Sequence, residues 1–222
     1  STDKAVNPTN VMGASKRVAE QVIQARSINT KVKYMAVRFG NVIGSSGSVI
    51  PTFQEQIKNG GPLTITDPNI KRYFMSIPEA AQLILQAGSL GNGGEIFVLD
   101  MGDPVLIKDI AVELIKLSGF TPNVDIPIEY IGLRPGEKMF EELITKGENI
   151  TDSPHEKIMI LKNEIKHGWN QTLAESEKVV TSSKSFNSEM IKKALTKIVP
   201  EYSPAKQEKD NFDIFKKKNQ KV

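Results

Sequence analysis

Cysteine is absent from the 222-residue sequence, and that absence excludes disulfide bonds, thiolate metal sites and cysteine nucleophiles. Histidine is scarce, because only His155 and His167 occur and neither stands in a metal-ligand pattern. We therefore predict no metal site, and we interpret both histidines as surface or tail-packing residues. Long apolar runs are lacking too: no stretch of about 18 apolar residues could cross a bilayer, so we predict that this chain is not itself a membrane anchor.

A strong charge of either sign is also lacking. The sequence has 29 basic and 26 acidic side chains, a formal net charge of +3, and no interleaving of aromatic and basic residues, so we predict no nucleic-acid partner. Part of the basic excess lies in the segment 203–222, which has six lysines against three acidic residues. We predict that this segment is a solvated, disordered tail. The alternative is a weak contact with an anionic membrane surface.

The glycine-rich turn that grips the pyrophosphate of a dinucleotide, Gly-x-x-Gly-x-x-Gly between a strand and a helix, is not found either. The glycine-rich run at 88–94 follows a predicted helix and precedes a predicted strand, which is the wrong order. What the sequence does have is the composition of a soluble globular protein, with 39% hydrophobic and 25% charged residues. Its length can hold one large domain or one and a half.

Apolar residues recur in helical and strand-like patterns that alternate along the chain, which predicts an α/β fold. Val11, Val18 and Val22 repeat at helical spacing and predict an amphipathic helix over 11–27. The apolar run 33–39 then predicts a buried strand in a parallel unit, where ligands lie at the carboxyl ends of strands. Further helices are predicted over 51–59, 79–87, 107–117, 140–144 and 189–199, and further strands over 63–66, 96–99, 128–131 and 158–161.

The first sixteen residues contain reactive side chains that would meet near one point. The triplet Thr-Asp-Lys at 2–4 is predicted to leave the end of a strand. Asn7 and Pro8 predict a helix start, with asparagine as the N-cap and proline at the first helical position. Met12 and Lys16 then fall four residues apart on one helix face. A hydroxyl, a carboxylate and two amines would therefore converge.

This segment resembles the active-site segment of the extended short-chain dehydrogenase/reductases, and more narrowly that of the nucleotide-sugar 4,6-dehydratases of capsule, O-antigen and protein-glycan biosynthesis. The family signature is Tyr-x-x-x-Lys with a Thr-Asp-Glu or Thr-Asp-Lys triplet upstream, and here Met12 stands at the tyrosine position. Methionine there is a feature of the large UDP-N-acetylglucosamine 4,6-dehydratases and their 5-inverting relatives. The resemblance is close over residues 1–145 and recognisable to about residue 165.

The resemblance implies an α/β fold, namely the carboxy-terminal part of an extended short-chain dehydrogenase Rossmann-like fold with a substrate-binding subdomain, its first strands and glycine-rich turn absent. Residues 1–40 would be the remaining part of the Rossmann-like core with the active-site segment. Residues 41–165 would form a mixed core and UDP-sugar-binding region. We predict a helical carboxy-terminal extension over 166–202, followed by the tail at 203–222.

For catalysis, the resemblance implies proton transfers on a 4-keto sugar. Lys4 would take the acidic proton of carbon 5 while Asp3 protonates the hydroxyl leaving carbon 6; the alternative is an ordinary ion pair between the two. Lys16 would bind the nicotinamide ribose of NAD or NADP. Met12 has no titratable proton and can equally serve in core packing. Thr2, Asp3 or a bound water would then accept the proton of the carbon 4 hydroxyl.

Three later segments, in the order and spacing of the family, resemble its nucleotide-sugar-binding segments. The segment Arg-Phe-Gly-Asn ends at Asn41, which would contact the substrate diphosphate. The segment Lys-Arg-Tyr-Phe contains Arg72, which would meet the same pyrophosphate. The loop Gly-Leu-Arg-Pro-Gly-Glu-Lys contains Arg134, which would pair with phosphate, and Glu137, which would accept hydrogen bonds from the uridine ribose. The Gly-Ser loop at 44–48 either offers backbone donors to the ligand or is a simple connection.

The resemblance thus implies an NAD- or NADP-dependent UDP-N-acetylhexosamine 4,6-dehydratase, retaining or 5-inverting, with UDP-N-acetylglucosamine or a related UDP-sugar as its partner. A non-catalytic UDP-sugar-binding fragment and a nucleotide-sugar 4-epimerase are the alternatives. We expect the chain alone to be inactive and to associate with an amino-terminal half or a second copy. The expected setting is the cytoplasm, with the parent protein anchored in the inner membrane as a further expectation.

Overall fold

The computed structural model describes residues 1–28, 30–45, 47–144, 148–162 and 168–205, so that His167 and most of the predicted tail lie outside the described residues. The described residues form six α-helices: α1 (Val11–Ser27), α2 (Val49–Lys58), α3 (Ile77–Leu90), α4 (Ile107–Leu117), α5 (Trp169–Ser183) and α6 (Ser188–Ile198). Their strands are β1 (Ala36–Arg38), β2 (Asn41–Val42), β3 (Leu63–Ile65), β4 (Lys71–Arg72), β5 (Phe74–Met75), β6 (Ile96–Leu99), β7 (Val105–Leu106), β8 (Ile128–Tyr130), β9 (Asn149–Asp152) and β10 (Ile158–Lys162).

The central sheet has four strands in the order β1-β6-β10-β9. Strand β6 pairs in parallel with β1 and antiparallel with β10, which pairs antiparallel with β9. All four residues of β6 are fully buried. The continuous apolar run of this strand is the sequence pattern of a strand that is covered on both faces. Two of the two-stranded sheets, β2-β5 and β4-β7, hold Asn41 and Arg72.

Separate apolar clusters hold the helices in place. Phe97 and Leu99 of β6 pack with Leu83 of α3, whereas α2, α4 and β3 share a second cluster. A third cluster joins α1 to α6. Helix α1 also contacts α5, where the Arg26 guanidinium lies 5.0 Å from the centre of the Trp169 ring. None of the helices in the described ranges is long and apolar enough to cross a membrane.

Helix α1 has the predicted range 11–27, but its N-cap lies three residues after the predicted one, so the assignment of Asn7 as N-cap and Pro8 as first helical residue is wrong. Its N-cap is Asn10, whose side-chain oxygen accepts a hydrogen bond of 2.8 Å from the Gly13 N–H. Asn7 has a φ of 39°, and the carbonyl of Pro8 accepts a hydrogen bond from Ser203 rather than starting the helix. The segment before α1 is therefore held by tertiary contacts with the end of the described chain.

The helix predicted over 140–144 is also wrong. These residues form no regular element, because the Glu141 side chain turns toward Asn41 and the Leu143 carbonyl accepts a hydrogen bond from Arg38. By contrast, the predictions of a strand at 96–99 and a helix at 107–117 are confirmed.

A buried ionic network ties α1 to β1. The Arg38 side chain is 0% exposed and donates hydrogen bonds of 3.1 and 2.8 Å to Glu20 and one of 3.1 Å to Glu148. Arg17 and the Ser1 hydroxyl also donate to Glu20. Burial would raise the pKa of Glu20, but the hydrogen bonds and charge of Arg38 outweigh it, with help from Ser1 and Arg17, and leave that pKa below its ordinary value. The network therefore fixes the strand that leads to the site.

Candidate active site

The start of the chain runs beside β1 and delivers its reactive side chains to the carboxyl end of that strand. The Ser1 amino group donates to the Val37 carbonyl at 2.7 Å, and the Asp3 N–H donates to the Phe39 carbonyl at 3.1 Å. This spacing of two residues is that of neighbouring strands. A 3₁₀ turn over Asp3–Ala5 follows the extended backbone of Thr2. The extended segment beside β1 therefore ends at the Thr-Asp-Lys triplet.

Asp3 and Lys4 form a hydrogen-bonded pair at this end of the sheet. The Lys4 ammonium lies 3.1 Å from the Asp3 Oδ1 and donates to the Asn41 Oδ1 at 3.1 Å. The Asp3 side chain is 1% exposed, whereas that of Lys4 is 36% exposed. Thr2 donates a hydrogen bond of 2.6 Å from its hydroxyl to the same Asp3 oxygen. The carboxyl group is therefore fixed from behind, and the amine remains partly open.

Glu141, which sequence reasoning missed, lies at the centre of the site. Its side chain is 5% exposed and lies 3.4 Å from the Lys4 ammonium and 3.2 Å from the Arg72 Nε. The Asn41 amide nitrogen also donates to both of its oxygens at 3.1 Å. Burial and the nearby Asp3 carboxyl raise the pKa of Glu141, and this increase is opposed by the charges of Lys4 and Arg72.

Arg72 and Glu137 contact each other across the mouth of the site. The Arg72 Nη2 lies 3.2 Å from the Glu137 Oε1, which also accepts a hydrogen bond from the Thr66 hydroxyl. The second Glu137 oxygen accepts a hydrogen bond of 3.1 Å from the Arg134 N–H. The single guanidinium of Arg72 thus contacts two carboxylates, those of Glu137 and Glu141.

Gly136 fastens this loop to the start of α1. Its carbonyl accepts hydrogen bonds from the Thr9 hydroxyl at 2.7 Å and from the Asn10 side chain at 3.1 Å. Gly136 has a φ of 76°, and a Cβ there would lie 3.0 Å from the Thr9 carbonyl oxygen. A side chain would therefore be strained in this conformation and would push the loop away from α1.

The cleft between these elements has a volume of about 320 Å³, at the lower end of the range for ligand sites. Seven of the nine residues that the sequence predicts for the site line this cleft: Asp3, Lys4, Met12, Asn41, Arg72, Arg134 and Glu137. Thr2 lies behind Asp3. Lys16 is exposed on the same helix as Met12, but it faces a separate shallow depression beside Ser1 and Val37.

A metal ion and a dinucleotide place different demands on these side chains. No group of three or more His, Cys, Asp or Glu residues suited to a metal ion occurs within the described ranges. For a dinucleotide, the exposed amine of Lys16 on the open face of α1 is chemically suited to donate hydrogen bonds to ribose hydroxyls. This amine lies outside the cleft, beside the depression that Ser1 and Val37 line.

The fold is shared with a known structure. The X-ray structure of Pen from Bacillus thuringiensis superposes with a TM-score of 0.67 at 36% sequence identity, over 74% of this chain and 52% of that protein. The chain therefore has the mixed α/β fold of part of an extended short-chain dehydrogenase/reductase, as the sequence predicts.

The chain belongs to the polysaccharide biosynthesis protein family, whose model matches residues 1–163. It is 60% identical over 159 residues to the capsular polysaccharide biosynthesis protein CapD of Staphylococcus aureus, and 57% identical over 162 residues to the probable polysaccharide biosynthesis protein EpsC of Bacillus subtilis. These matches cover 71% and 73% of this chain but 26% and 27% of those proteins, so the chain spans about a quarter of their length. A UDP-glucose 4-epimerase of Rickettsia bellii is 39% identical over 151 residues, 67% of this chain and 43% of that protein.

Proposed function

We propose that this chain is the catalytic and substrate-binding part of a UDP-N-acetylhexosamine 4,6-dehydratase, retaining or 5-inverting, that acts in polysaccharide biosynthesis. The observation that carries the proposal is one cleft that holds both the Asp3–Lys4 pair and three groups suited to a diphosphate, Asn41, Arg72 and Arg134. Proton-transfer groups and anion-binding groups are what elimination of water from a nucleotide sugar requires together.

The Asp3–Lys4 pair supplies a closed proton balance for this elimination. Asp3, which lines the cleft, takes the proton of the carbon 4 hydroxyl when carbon 4 is oxidised. Lys4 then takes the carbon 5 proton, a double bond forms between carbons 5 and 6, and Asp3 returns its proton to the hydroxyl that leaves carbon 6 as water. When the double bond is reduced at carbon 6, Lys4 returns a proton to carbon 5, so both side chains regain their starting forms. The Thr2 hydroxyl donates to Asp3 at 2.6 Å, which suits a positioning role behind the carboxyl. Met12 bounds the cleft without titrating.

A bound NAD or NADP would accept the hydride of carbon 4 and, after the loss of water, supply it to carbon 6, and Lys16 is the residue of this chain that would hold its nicotinamide ribose. Lys16 is exposed and lies one helical turn beyond Met12, on the side of α1 that borders the depression beside Ser1 and Val37. The positive charge of Lys16 also favours negative charge that develops near the sugar.

The substrate diphosphate would lie between Arg72 and Arg134, because guanidinium groups offer paired donors to phosphate oxygens. Arg134 is exposed at the cleft mouth, and within the described part of the chain its guanidinium makes no ion pair. Asn41 would contact the same diphosphate from β2, and Glu137 would accept hydrogen bonds from the uridine ribose once Arg72 turns toward phosphate. UDP-N-acetylglucosamine is the substrate that we expect.

A nucleotide-sugar 4-epimerase is the second candidate, and the likeness to the Rickettsia bellii epimerase favours it. Epimerisation at carbon 4 removes no proton from carbon 5 and no hydroxyl from carbon 6. It therefore needs neither a base at Lys4 nor an acid at Asp3 for an elimination step. The two candidates therefore predict different products from the same substrate.

The experiment is to treat UDP-N-acetylglucosamine with a complete, dinucleotide-loaded enzyme that contains this chain, in deuterium oxide, and to analyse the product by mass spectrometry and NMR. A dehydratase gives a product that has lost one water and carries deuterium at carbon 5. An epimerase gives an isomer of unchanged mass. Lys4→Ala should abolish exchange at carbon 5, and Lys58→Ala, on the remote helix α2, should not. Normal exchange in Lys4→Ala would exclude Lys4 as the base.

A further inference from the structure

The carboxyl of Glu141 contacts both functional halves of the cleft. On one side it lies 3.4 Å from the Lys4 ammonium, which belongs to the proposed proton-transfer pair. On the other side it lies 3.2 Å from the Arg72 Nε, which belongs to the proposed diphosphate site, and Asn41 donates to both of its oxygens. A single buried carboxyl therefore links the group that would hold the anion to the group that would move the proton.

We propose that Glu141 is a positioning residue that exchanges Arg72 for a proton when a nucleotide sugar binds, and that this exchange prepares Lys4 to act as a base. The inference rests on the proposed function, because it requires a diphosphate ligand at Arg72. It adds a residue and a coupling that the family resemblance does not supply.

Competition for Arg72 drives the exchange. Without ligand, the Arg72 guanidinium is balanced by two carboxylates, those of Glu137 and Glu141. A diphosphate carries at least two negative charges and offers better paired acceptors to a guanidinium than two separate carboxylates do. When Arg72 turns to the diphosphate, Glu141 loses a cation and gains a nearby anion. Both changes favour the protonated form of its carboxyl.

The other groups around Glu141 do not cancel this effect. Asp3, on the 3₁₀ turn, is a second buried carboxyl that disfavours negative charge on Glu141, whereas Lys4 on the same turn is the cation that favours it. Asn41 on β2 and the Tyr73 N–H are neutral donors. Burial and Asp3 already raise the pKa of Glu141 without ligand. Further loss of positive charge moves that pKa in the same direction, toward neutral pH.

Protonation of Glu141 has a direct consequence for Lys4. An anionic Glu141 stabilises the ammonium form of Lys4, and that form cannot accept the carbon 5 proton. A neutral Glu141 removes this stabilisation and keeps its contact with Asn41, because a protonated carboxyl still has acceptor capacity. Binding of the diphosphate would thus favour the free amine at the moment when the sugar is in place.

Calorimetric titration of the chain with UDP-N-acetylglucosamine tests the exchange. The diphosphate of this probe is esterified at both ends, so it does not titrate near neutral pH, and any protons taken up from the buffer are bound by groups of the protein. The binding enthalpy is measured in buffers of different ionisation enthalpy, at a series of pH values above the ordinary carboxyl pKa, because the pKa of Glu141 is raised. Because any proton that Lys4 releases offsets part of the proton that Glu141 takes up, we expect net uptake of a fraction of one proton per ligand.

The variant Glu141→Gln should still bind the probe but lose the proton uptake, because the amide keeps the shape and cannot titrate. The control is Glu113→Gln, an exposed carboxyl on α4 outside the cleft, which should keep the uptake. Since Glu141→Gln could disturb folding, NMR of wild-type chain with ¹³C-labelled glutamate provides a second measurement. One buried carboxyl resonance should move to its protonated position when the probe is added.

The outcomes separate the two proposals. Binding to the wild type with neither proton uptake nor a shifted carboxyl resonance, or uptake that persists in Glu141→Gln, would overturn the role of Glu141 and leave the proposed function in place. If the wild-type chain does not bind UDP-N-acetylglucosamine at all, the nucleotide-sugar site and this inference both fail.

Discussion

Replacing Arg38 by methionine tests how strongly the buried ion pairs hold β1 against α1. The Arg38 side chain is 0% exposed and donates to Glu20, to Glu148 and, at 3.0 Å, to the Leu143 carbonyl. Methionine fills much of the same volume but leaves these acceptors without their donor. The variant therefore measures the loss of one partner from a buried network rather than the loss of packing.

The expected cost follows from the groups that are left behind. Removing one partner of a buried ion pair costs about 3–5 kcal/mol, because the other charge stays buried without compensation. Glu20 would keep the Arg17 guanidinium at 2.8 Å and the Ser1 hydroxyl at 2.6 Å. This remaining support places the expected loss at the lower end, about 3 kcal/mol. With a urea dependence of about 2–3 kcal/mol per molar, the unfolding midpoint should fall by about 1 M.

Urea unfolding followed by circular dichroism at neutral pH measures this change. The matched control is Lys116→Met, which breaks an exposed pair with Glu113 at 2.9 Å on α4 and should cost less than about 1 kcal/mol. If the free energy of unfolding of Arg38→Met lies within about 1 kcal/mol of the wild-type value, the buried network does not hold β1 in place.

Three further changes test other parts of the structure. Replacing Arg72 or Arg134 by alanine should weaken UDP binding by about 1.5–3 kcal/mol, and unchanged calorimetric affinity in both variants would remove the diphosphate site from this cleft. Gly13→Ala should destabilise the chain by about 1–3 kcal/mol in urea, because the added Cβ would collide with the Lys4 carbonyl oxygen, while Ser15→Ala, at an exposed position of the same helix, serves as a control. The pKa of Glu20 is lowered in the folded chain, so its contribution is present above the ordinary carboxyl pKa and is lost as pH falls through the folded value; the stability difference between wild type and Glu20→Gln should shrink from about pH 5 to pH 3, and a constant difference would contradict the pairing.

The elements that the sequence predicts best are those in which local pattern and burial agree. The run Ile96–Leu99 is apolar at every position, and a strand buried on both faces is the structure that uses such a run. The helix at Ile107–Leu117 has a clear apolar face, and its predicted bounds agree with the structure. In both cases the apolar residues that set the local pattern are the ones that pack in the core clusters.

The errors occur where tertiary contacts decide the backbone. Asn7 followed by Pro8 is a good local helix start, yet the structure places the N-cap at Asn10, because Pro8 and Thr9 offer their carbonyls to Ser203 and Ala205. These partners are almost 200 residues away in the sequence. No local pattern could predict that they would hold the segment out of the helix.

Most of the candidate site could be predicted because its residues occur in motifs that resemble those of a family. Glu141 was missed because it follows the Gly-Leu-Arg-Pro-Gly-Glu-Lys loop and stands inside a run that reads locally as a helix. Beside Glu142, it also looks like one of two ordinary surface acids. Only the fold shows that its side chain is 5% exposed and meets Lys4, Asn41 and Arg72.

The segment 141–143 explains why stability and site geometry are coupled in this protein. Glu141 is held in the cleft by Asn41 and Arg72, while two residues later the Leu143 carbonyl accepts the Arg38 guanidinium of the buried network. A short segment that is fastened at both points cannot move at one of them alone. Replacing Arg38 therefore affects the cleft although Arg38 does not line it, and its effect should not simply add to that of replacing Glu141. The buried network thus serves the site by fixing the backbone that carries its central carboxyl.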